Sequence, residues 1–246
     1  MKALITGASS GIGRDFAKIL ADMNYELVLV ARDEEKLKEL QKELKTNAKV
    51  ISMDLSNVKN CQKLHTENPD IDLLINNAGF GDCGNFTHTS LDKEINMINT
   101  NIVAYHILTK LYLIDMKKVN KGHILNVASI AGFMPGPLMA TYYATKSYIV
   151  RLSEAIREEL HKEKSNVKIN ILCPGPVKTN FNKVANVKFS LKEKNSYYVA
   201  KYAINHLNKF YIVPGIDIKF AKLGAKLFPS NLIAKITYMV QKKKLQ

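Results

Sequence analysis

The chain has 246 residues, of which 46% are hydrophobic and 24% are charged. This composition is sufficient for one large domain with a sizeable core. The formal net charge of +14 allows an anionic cofactor, an anionic membrane surface or nucleic acid as a partner, or simply lysines spread over solvated helix faces. Because no nucleic-acid-binding module signature accompanies the charge, we expect no nucleic-acid partner.

The cysteines and the N-terminus indicate where such a protein works. Cys61, Cys83 and Cys173 are far apart and odd in number, which favours a reducing compartment and argues against a disulfide framework and a zinc site. The first predicted strand begins at Lys2, which leaves no room for a signal peptide. No uncharged apolar run approaches the roughly 20 residues of a membrane-spanning helix. We therefore expect a cytoplasmic protein without a metal.

In chain order, short apolar runs alternate with segments of helical periodicity. The first helical segment starts at about Arg14 and places four apolar side chains on one face, namely Phe16, Ile19, Leu20 and Met23. Asp33 is expected to cap a charged helix, and long helices are expected over residues 91–116 and 141–162. The predicted strands are residues 2–6, 26–31, 48–53, 72–75, 122–129, 167–172 and 210–213.

Apolar strands that do not alternate, separated by helices, predict a parallel sheet covered on both faces. Right-handed crossovers then give a single-domain, Rossmann-type, doubly wound α/β fold of about seven strands over residues 1–246, with ligands outside the carboxyl ends of the strands. Within this domain, residues 180–200 are predicted to form a substrate loop and residues 216–246 a basic amphipathic C-terminal extension.

The turn between the first strand and the first helix is rich in glycine. Glycines permit a tight turn and a close backbone approach to a pyrophosphate, which a helix N-terminus favours electrostatically. The spacing is Gly-x-x-x-Gly-x-Gly rather than the common Gly-x-Gly-x-x-Gly, and such a turn taken alone is often only a loop. Its position between a strand and an amphipathic helix predicts dinucleotide binding. The candidate residues are Gly7, Ser9, Ser10, Gly11, Ile12 and Gly13.

The end of the second strand distinguishes the two nicotinamide dinucleotides. An acidic residue there would bind the ribose 2′-hydroxyl and repel a 2′-phosphate, whereas this chain has Arg32. A guanidinium suits a phosphate, so NADP is favoured over NAD. The alternative is a solvent-exposed arginine beside Asp33 and Glu34.

A hydroxyl, a phenol and an ammonium follow the fifth predicted strand. Ser129 ends that strand, and Tyr142 and Lys146 are four residues apart at the start of a helix, so their side chains share a face. A neighbouring cation lowers the pKa of a phenol, about 10 when unperturbed, which suits general acid/base work. A serine at a strand end can also simply cap, and a tyrosine in a glycine-rich loop can simply pack.

These motifs, in this order, resemble the short-chain dehydrogenase/reductase family over nearly the whole chain, and in particular its NADP-preferring 3-oxoacyl or ketone reductases. Besides the glycine turn, Ser129 and the Tyr142–Lys146 pair, the shared motifs are Asp54-Leu55, Asn76-Asn77-Ala78-Gly79, Asn101 and Pro174-Gly175-x-Val177-x-Thr179. The resemblance implies that Asp54 binds the adenine amino group, that Leu55 lines its pocket and that Asn76 ties the central strands together. It places further cofactor contacts at Asn77, Ala78, Gly79, Tyr142, Lys146, Pro174, Gly175, Val177 and Thr179.

The resemblance also implies the catalytic roles. Ser129 would donate a hydrogen bond to the substrate oxygen and Tyr142 would deliver the proton, so these two residues also bind the substrate. Lys146 would hold the nicotinamide ribose, and Lys146 and Asn101 would return the proton to the tyrosine through water. Asn99 is two residues from Asn101 and is the alternative for the asparagine, although Asn101 aligns better with the family.

The implied function is an NADP(H)-dependent oxidoreductase that moves a hydride between the nicotinamide and a carbonyl or secondary alcohol. The alternative is a non-catalytic NADP(H)-binding sensor or scaffold on the same fold. Apolar loop residues suit a hydrophobic ketone, such as a 3-oxoacyl or steroid-like substrate, or ordinary packing. They are Phe133, Met134, Leu138, Met139, Phe181, Val184 and Phe189. The family habit of pairing long helices predicts a homodimer or homotetramer.

The C-terminal extension combines apolar residues with lysines. This composition can lie on an anionic bilayer, or it can pack on its own domain or on a second subunit. We favour packing over peripheral membrane contact.

Overall fold

The computed structural model describes residues 1–185 and 193–243. Two predictions extend beyond these residues. Part of the predicted substrate loop, including Phe189, lies outside the described residues, as do the last three positions of the C-terminal extension.

The elements follow the predicted alternation of strands and helices. The strands are β1 (Lys2–Thr6), β2 (Glu26–Ala31), β3 (Ala48–Ser52), β4 (Leu73–Asn76), β5 (His123–Val127), β6 (Lys168–Leu172), β7 (Val177–Lys178), β8 (Lys194–Asn195) and β9 (Tyr211–Ile212). The helices are α1 (Gly11–Asp22), α2 (Glu34–Glu43), α3 (Val58–Thr66), α4 (Leu91–Ile98), α5 (Ala104–Lys118), α6 (Ala140–Lys162), α7 (Phe181–Val184), α8 (Ser196–Asn205), α9 (Ile216–Leu227) and α10 (Ser230–Lys242). A π-helical turn spans Asn99–Val103 and a 3₁₀ turn spans Ile130–Phe133.

Among the described residues, seven strands form one parallel sheet in the order β3-β2-β1-β4-β5-β6-β9. The predicted doubly wound sheet is therefore confirmed, although β9 is shorter than its predicted span. The strand order reverses between β1 and β4, which is the switch point where doubly wound folds bind ligands. The short strands β7 and β8 pair in parallel outside this sheet and were not predicted.

Both faces of the sheet are apolar, because successive side chains of a strand point to opposite faces. In β1, Ala3 and Ile5 belong to a core cluster with Phe16 of α1, whereas Leu4 belongs to a second cluster with Leu108 of α5. Burying a side chain such as Leu4 contributes about 2 kcal/mol. Covered faces leave the carboxyl edge of the sheet as the place where polar side chains meet.

Two helix predictions need correction. Met23 does not share the buried face of α1; it is half-exposed because the helix ends at Asp22. The predicted helix over residues 91–116 is interrupted by the π turn, which inserts an extra residue between α4 and α5 and directs Asn101 into the interior, where it is fully buried. Such π turns are frequent at functional sites.

No helix in the described part of the chain has both the length and the apolar character needed to cross a membrane.

Candidate active site

The glycine turn after β1 requires its glycines for steric reasons. Gly7 and Gly11 have φ values of +67° and +54°, a region that side chains with a Cβ rarely adopt. At Gly13, a Cβ would lie 2.3 Å from the Gly7 carbonyl oxygen. The turn therefore packs back on itself at the start of α1.

The end of β4 holds this turn in place. The buried Thr6 hydroxyl accepts hydrogen bonds from the backbone N–H groups of Asn77 and Ala78, both at 2.9 Å. The Asn77 side-chain amide donates to the carbonyl oxygens of Thr6 at 3.0 Å and Gly7 at 3.2 Å. The Asn77 amide is therefore engaged with the turn, while Gly79 beyond it is exposed.

The N-terminus of α1 has the properties of an anion site. Ser10 is the N-cap, but its side chain makes no capping hydrogen bond, and the first helical turn contains no acidic residue. Thr179 lies over this end, since a Cβ on Gly11 would be 2.8 Å from its methyl carbon. Ser9 and Ile12 of the same turn are half-buried. Backbone N–H groups without side-chain partners at the start of a twelve-residue helix fit a pyrophosphate.

Arg32 is exposed at the carboxyl end of β2, and it forms no ion pair within the described residues. Its acidic neighbours are occupied elsewhere. Asp33 pairs with Lys36 and caps α2 as predicted, by accepting from the Lys36 N–H at 3.1 Å. Glu34 pairs with Lys38 at 2.6 Å. The guanidinium therefore remains available to an anion such as a ribose 2′-phosphate.

Asp54 and Leu55 follow β3, which pairs with β2, so they lie near Arg32 at the same edge of the sheet. Asp54 is exposed, and one of its carboxylate oxygens accepts from the Ser56 N–H at 2.9 Å. Leu55 is buried. An exposed carboxylate next to a buried leucine in the chain has the chemistry expected for an adenine site.

Asn76 ties the central strands together, as predicted. Its buried amide nitrogen donates to the side-chain oxygen of Asn126 in β5 at 2.9 Å and to the Thr109 hydroxyl of α5 at 3.1 Å. Asn126 in turn donates to Ser153 of α6 at 3.0 Å. This polar network fixes β4 and β5, the strands that precede the catalytic candidates.

Ser129 and Tyr142 meet at the carboxyl edge of the sheet, where the Ser129 hydroxyl lies close enough to the phenol to lower its pKa. The Ser129 oxygen also accepts from the Ala131 N–H at 3.2 Å, and its hydroxyl donates to the Pro174 carbonyl at 3.4 Å. Ser129 thus caps the 3₁₀ turn and contacts the phenol at the same time. The bond from the Ser129 hydroxyl to the Pro174 carbonyl is long for an O–H donor. A nearer acceptor, such as a substrate oxygen, could therefore take this hydrogen bond in place of the carbonyl.

Lys146 lies behind Tyr142 and is almost completely buried. Its ammonium donates to the Val127 carbonyl at 2.9 Å and lies 5.9 Å from the centre of the Tyr142 ring. Burial lowers the pKa of Lys146 to about 8, and interaction with Cys173 opposes this shift. The ammonium is therefore charged at neutral pH but loses its proton far more readily than an exposed lysine.

The predicted lowering of the Tyr142 pKa is wrong. Burial raises the pKa of Tyr142, with a smaller contribution from Tyr143, and the Ser129 hydroxyl only partly opposes this shift. Removal of the phenol from water outweighs the neighbouring cation, whose hydrogen bond is made to the Val127 carbonyl instead.

The π turn brings Asn101 next to these groups. Its amide exchanges hydrogen bonds with the Phe80 backbone at 2.9 and 3.1 Å and donates to the Thr145 hydroxyl at 3.1 Å. A Cβ on Gly79 would lie 2.9 Å from the Asn101 oxygen and 3.6 Å from the Lys146 nitrogen. Asn101 rather than the half-buried Asn99 therefore adjoins Lys146.

Thr145 is a site residue that the sequence patterns missed. Its hydroxyl donates to the Tyr142 carbonyl at 2.7 Å while it accepts from Asn101. It therefore links the π turn to the first turn of α6. The available signal was its position three residues after Tyr142, on the same helical face.

The segment after β6 closes the edge of the sheet beside Ser129. The Pro174 carbonyl accepts from both Ser129 and the Ile130 N–H. A Cβ on Gly175 would lie 2.3 Å from Ile218 of α9, so this glycine allows α9 to approach. The Val177 side chain is buried in the core cluster on the α1 side. Only the backbone of Val177 is therefore available to contact a cofactor.

An apolar cluster surrounds the phenol. Leu138, Met139 and Phe181 pack with Tyr142 and Tyr143, and the rings of Phe181 and Tyr142 are 5.2 Å apart. These residues were predicted for the substrate wall.

Three other predicted wall residues lie differently. Phe133 packs against Tyr211 instead, Val184 is exposed, and Met134 lines a neighbouring surface groove with Pro135 and Tyr143.

Comparison with known proteins assigns the chain to a family. The family described as short chain dehydrogenase matches residues 1–188. An uncharacterized oxidoreductase of Staphylococcus epidermidis is 37% identical over 181 residues, which cover 72% of this chain and 78% of that protein. A very-long-chain 3-oxoacyl-CoA reductase of Pyrenophora tritici-repentis is 36% identical over 171 residues, which cover 64% of this chain but only 50% of that protein.

Two solved structures have the same fold. A short-chain dehydrogenase from Sphingobium yanoikuyae in complex with NADPH is 26% identical, with a TM-score of 0.82 and 92% of each chain covered. A short-chain dehydrogenase/reductase from Burkholderia phymatum in complex with NAD gives the same values. Fold and matches together define an oxidoreductase that acts on CH–OH or C=O groups with NAD(P). The chain belongs to the short-chain dehydrogenase family, as its motifs indicated.

Proposed function

We propose that this chain is an NADP(H)-dependent reductase of hydrophobic ketones, with Tyr142 as the general acid and, in the reverse direction, the general base. The observation that carries this proposal is the convergence of the Ser129 hydroxyl, the Tyr142 phenol and the Lys146 ammonium at the carboxyl edge of the sheet. A protein that only bound a dinucleotide would have no need for this arrangement.

The cofactor is proposed to lie along the carboxyl edge, with its pyrophosphate at the N-terminus of α1 and its adenosine near Asp54. The preference for NADP over NAD rests on Arg32, which is exposed and free of ion pairs within the described residues. The similar proteins are found with NADPH in one case and NAD in the other. The backbone of residues 77–79 and of residues 174–179 borders the same edge.

In the proposed reaction, the carbonyl carbon would receive a hydride from a dihydronicotinamide bound along this edge. Ser129 exchanges its long bond to Pro174 for one to the substrate oxygen and stabilises the charge that develops there. Tyr142, whose phenol is protonated at neutral pH, gives its proton to that oxygen. The nearby Lys146 ammonium stabilises the phenolate that remains, and Asn101 holds the first turn of α6 beside it through the Thr145 hydroxyl.

A hydrophobic substrate is supported by the apolar cluster around Tyr142. Leu138, Met139 and Phe181 offer no charged partner to a substrate, and apolar walls of this kind bind apolar ligands. The similar very-long-chain 3-oxoacyl-CoA reductase makes a 3-oxoacyl chain the first candidate, with steroid-like ketones next. A homo-oligomeric state and a cytoplasmic location stay predictions.

The test is NADPH consumption with a panel of hydrophobic ketones. Tyr142→Phe should lose carbonyl reduction by about a hundredfold or more but keep NADPH binding, measured by fluorescence titration. Tyr148→Phe is the matched control, because Tyr148 is an exposed tyrosine on the same helix and its loss should leave turnover unchanged. If Tyr142→Phe retains most of its turnover, the tyrosine is not the acid.

A further inference from the structure

The outer face of α9 is a continuous apolar stripe. Ile216, Phe220, Leu223 and Leu227 are exposed by 70%, 68%, 50% and 68%. Their spacings of four, three and four residues place them on one helical face. The opposite face holds the helix to the domain through the buried Ile218. α9 therefore has two apolar faces: an inner one packed on the domain, and this outer one, which is exposed to solvent.

The next helix repeats the pattern. Ile233, Thr237 and Gln241 form the buried face of α10, and the Thr237 hydroxyl donates to the Pro135 carbonyl at 2.8 Å. Large apolar residues remain exposed on the rest of α10 and in the turn before it, namely Phe228, Leu232, Ile236, Tyr238 and Met239. The predicted packing on the chain's own domain is thus made by the inner faces alone. We call the exposed apolar residues of α9, α10 and their turn the C-terminal apolar face.

The same two helices carry exposed lysines and almost no acidic residue. The exposed lysines of residues 216–243 are Lys219, Lys226, Lys235, Lys242 and Lys243. The single acid of that range is Asp217, which pairs with Lys194 at 3.3 Å. An apolar face bordered by uncompensated positive charge is complementary to an anionic, apolar partner.

We propose that the C-terminal apolar face docks on an anionic lipid bilayer as a peripheral membrane contact, with α9 and α10 lying in the headgroup region. A second copy of the chain suits this face poorly, because a twofold contact would bring the same lysines against one another. A bilayer instead accepts the apolar residues in its acyl boundary and the lysines at its phosphates.

The inner face of α10, opposite the exposed one, contacts the candidate active site. Gln241 of α10 donates a hydrogen bond to the hydroxyl of Tyr143, the neighbour of Tyr142. The groove that Tyr143 lines with Met134 and Pro135 is formed by α6 and the segment before it, and the Pro135 carbonyl accepts a hydrogen bond from Thr237 of α10. Docking through the exposed residues would therefore place α10 between the bilayer and this side of the enzyme. The docking proposal itself rests on the exposed face and its charge, and it stands or fails independently of the proposed reaction.

The test is flotation of the purified chain with phosphatidylcholine vesicles, with and without phosphatidylglycerol. The wild-type protein should float with anionic vesicles and lose most of this association in neutral vesicles or at high salt, because salt screens the lysines. Replacing Phe220, Leu223 and Leu227 together by serine should reduce partitioning by about a hundredfold or more. These residues are exposed, so the variant should fold, which circular dichroism and NADPH binding can check.

The matched control replaces three exposed apolar residues elsewhere, Leu91, Ile95 and Val119, by serine, and it should float like the wild type. Replacing Lys226 or Lys235 by glutamine should weaken the association by about fivefold for each charge. Wild-type protein that does not float with anionic vesicles overturns the proposal, as does unchanged flotation of the triple variant. If the wild type and the control variant are dimers in solution and the triple variant is a monomer, the face binds a second copy of the chain. That result would also refute the membrane proposal.

Discussion

Lys146 should make the enzyme less stable than it would be without this charge. Its ammonium is almost completely buried, and burial lowers its pKa to about 8. The unfolded chain keeps the proton up to the ordinary value of 10.5, whereas the folded chain releases it at about 8. Between these values the unfolded state binds more protons, so the free energy of unfolding rises with pH. We therefore predict that Lys146→Met raises stability at neutral pH while it abolishes turnover.

The magnitude follows from the pKa and from the local contacts. At 1.36 kcal/mol per pH unit, the shift from 10.5 to about 8 amounts to about 3 kcal/mol of destabilisation below pH 8. The substitution also removes the hydrogen bond to the Val127 carbonyl, a loss of about 2 kcal/mol for a charged donor. That carbonyl keeps the Tyr105 hydroxyl as a second donor at 3.2 Å, so it is not left unpaired. The expected net gain at pH 7 is about 1 kcal/mol.

The assay is urea unfolding of both proteins at several pH values. The advantage of Lys146→Met should disappear and then reverse between about pH 8 and pH 10.5, by up to about 3 kcal/mol in total, because only the wild type gains stability there. Lys110→Met, at an exposed position of α5, is the control and should show no such trend. A variant that is less stable than the wild type by a pH-independent amount would refute the reasoning.

Three further predictions concern the cofactor edge and the sheet. Arg32→Glu should weaken NADPH binding by about tenfold or more, because a charge-assisted contact is replaced by repulsion, while NADH binding holds or improves. Titrations of the variant with each cofactor measure this. Equal losses of affinity for both cofactors would contradict the prediction. Gly13→Ala should lower the free energy of unfolding by about 1–3 kcal/mol, because the new Cβ clashes with the Gly7 carbonyl oxygen. A melting temperature equal to that of the wild type would contradict this tight packing of the turn. Asn76→Leu should destabilise by about 1–3 kcal/mol, since two buried hydrogen bonds are lost, with NADPH binding retained in the folded protein.

Much of the fold could be predicted because both faces of the sheet are covered. The strands Lys2–Thr6 and Glu26–Ala31 have the predicted bounds, since an uninterrupted apolar run beside glycines or charges fits only a buried strand. The π turn could not be predicted, because one extra residue shifts the phase of the pattern between α4 and α5 but leaves the helical period within each of them unchanged. The strands β7 and β8 are too short to carry a pattern.

The candidate site was predicted in position but not in its electrostatics. Ser129, Tyr142 and Lys146 were expected to converge, because parallel strands bring their carboxyl ends to one edge, and the structure brings them together. The direction in which the Tyr142 pKa shifts depends on how far the folded chain shields the phenol from water. Residues that are neighbours in the sequence do not reveal this burial. The wall residue Phe133 was misplaced for a similar reason, because its partner Tyr211 is distant in the chain.

The π turn also limits how this region can change. A residue removed from the turn would let the chain from Leu91 to Lys118 wind as one regular helix, with its first part rotated by about 100° against its second. Met97 before the turn and Leu108 after it are both completely covered, and after such a rotation they would no longer face inward together. The surplus residue is thus retained by packing on either side of it, and the position of Asn101 depends on these apolar contacts as well as on its own hydrogen bonds.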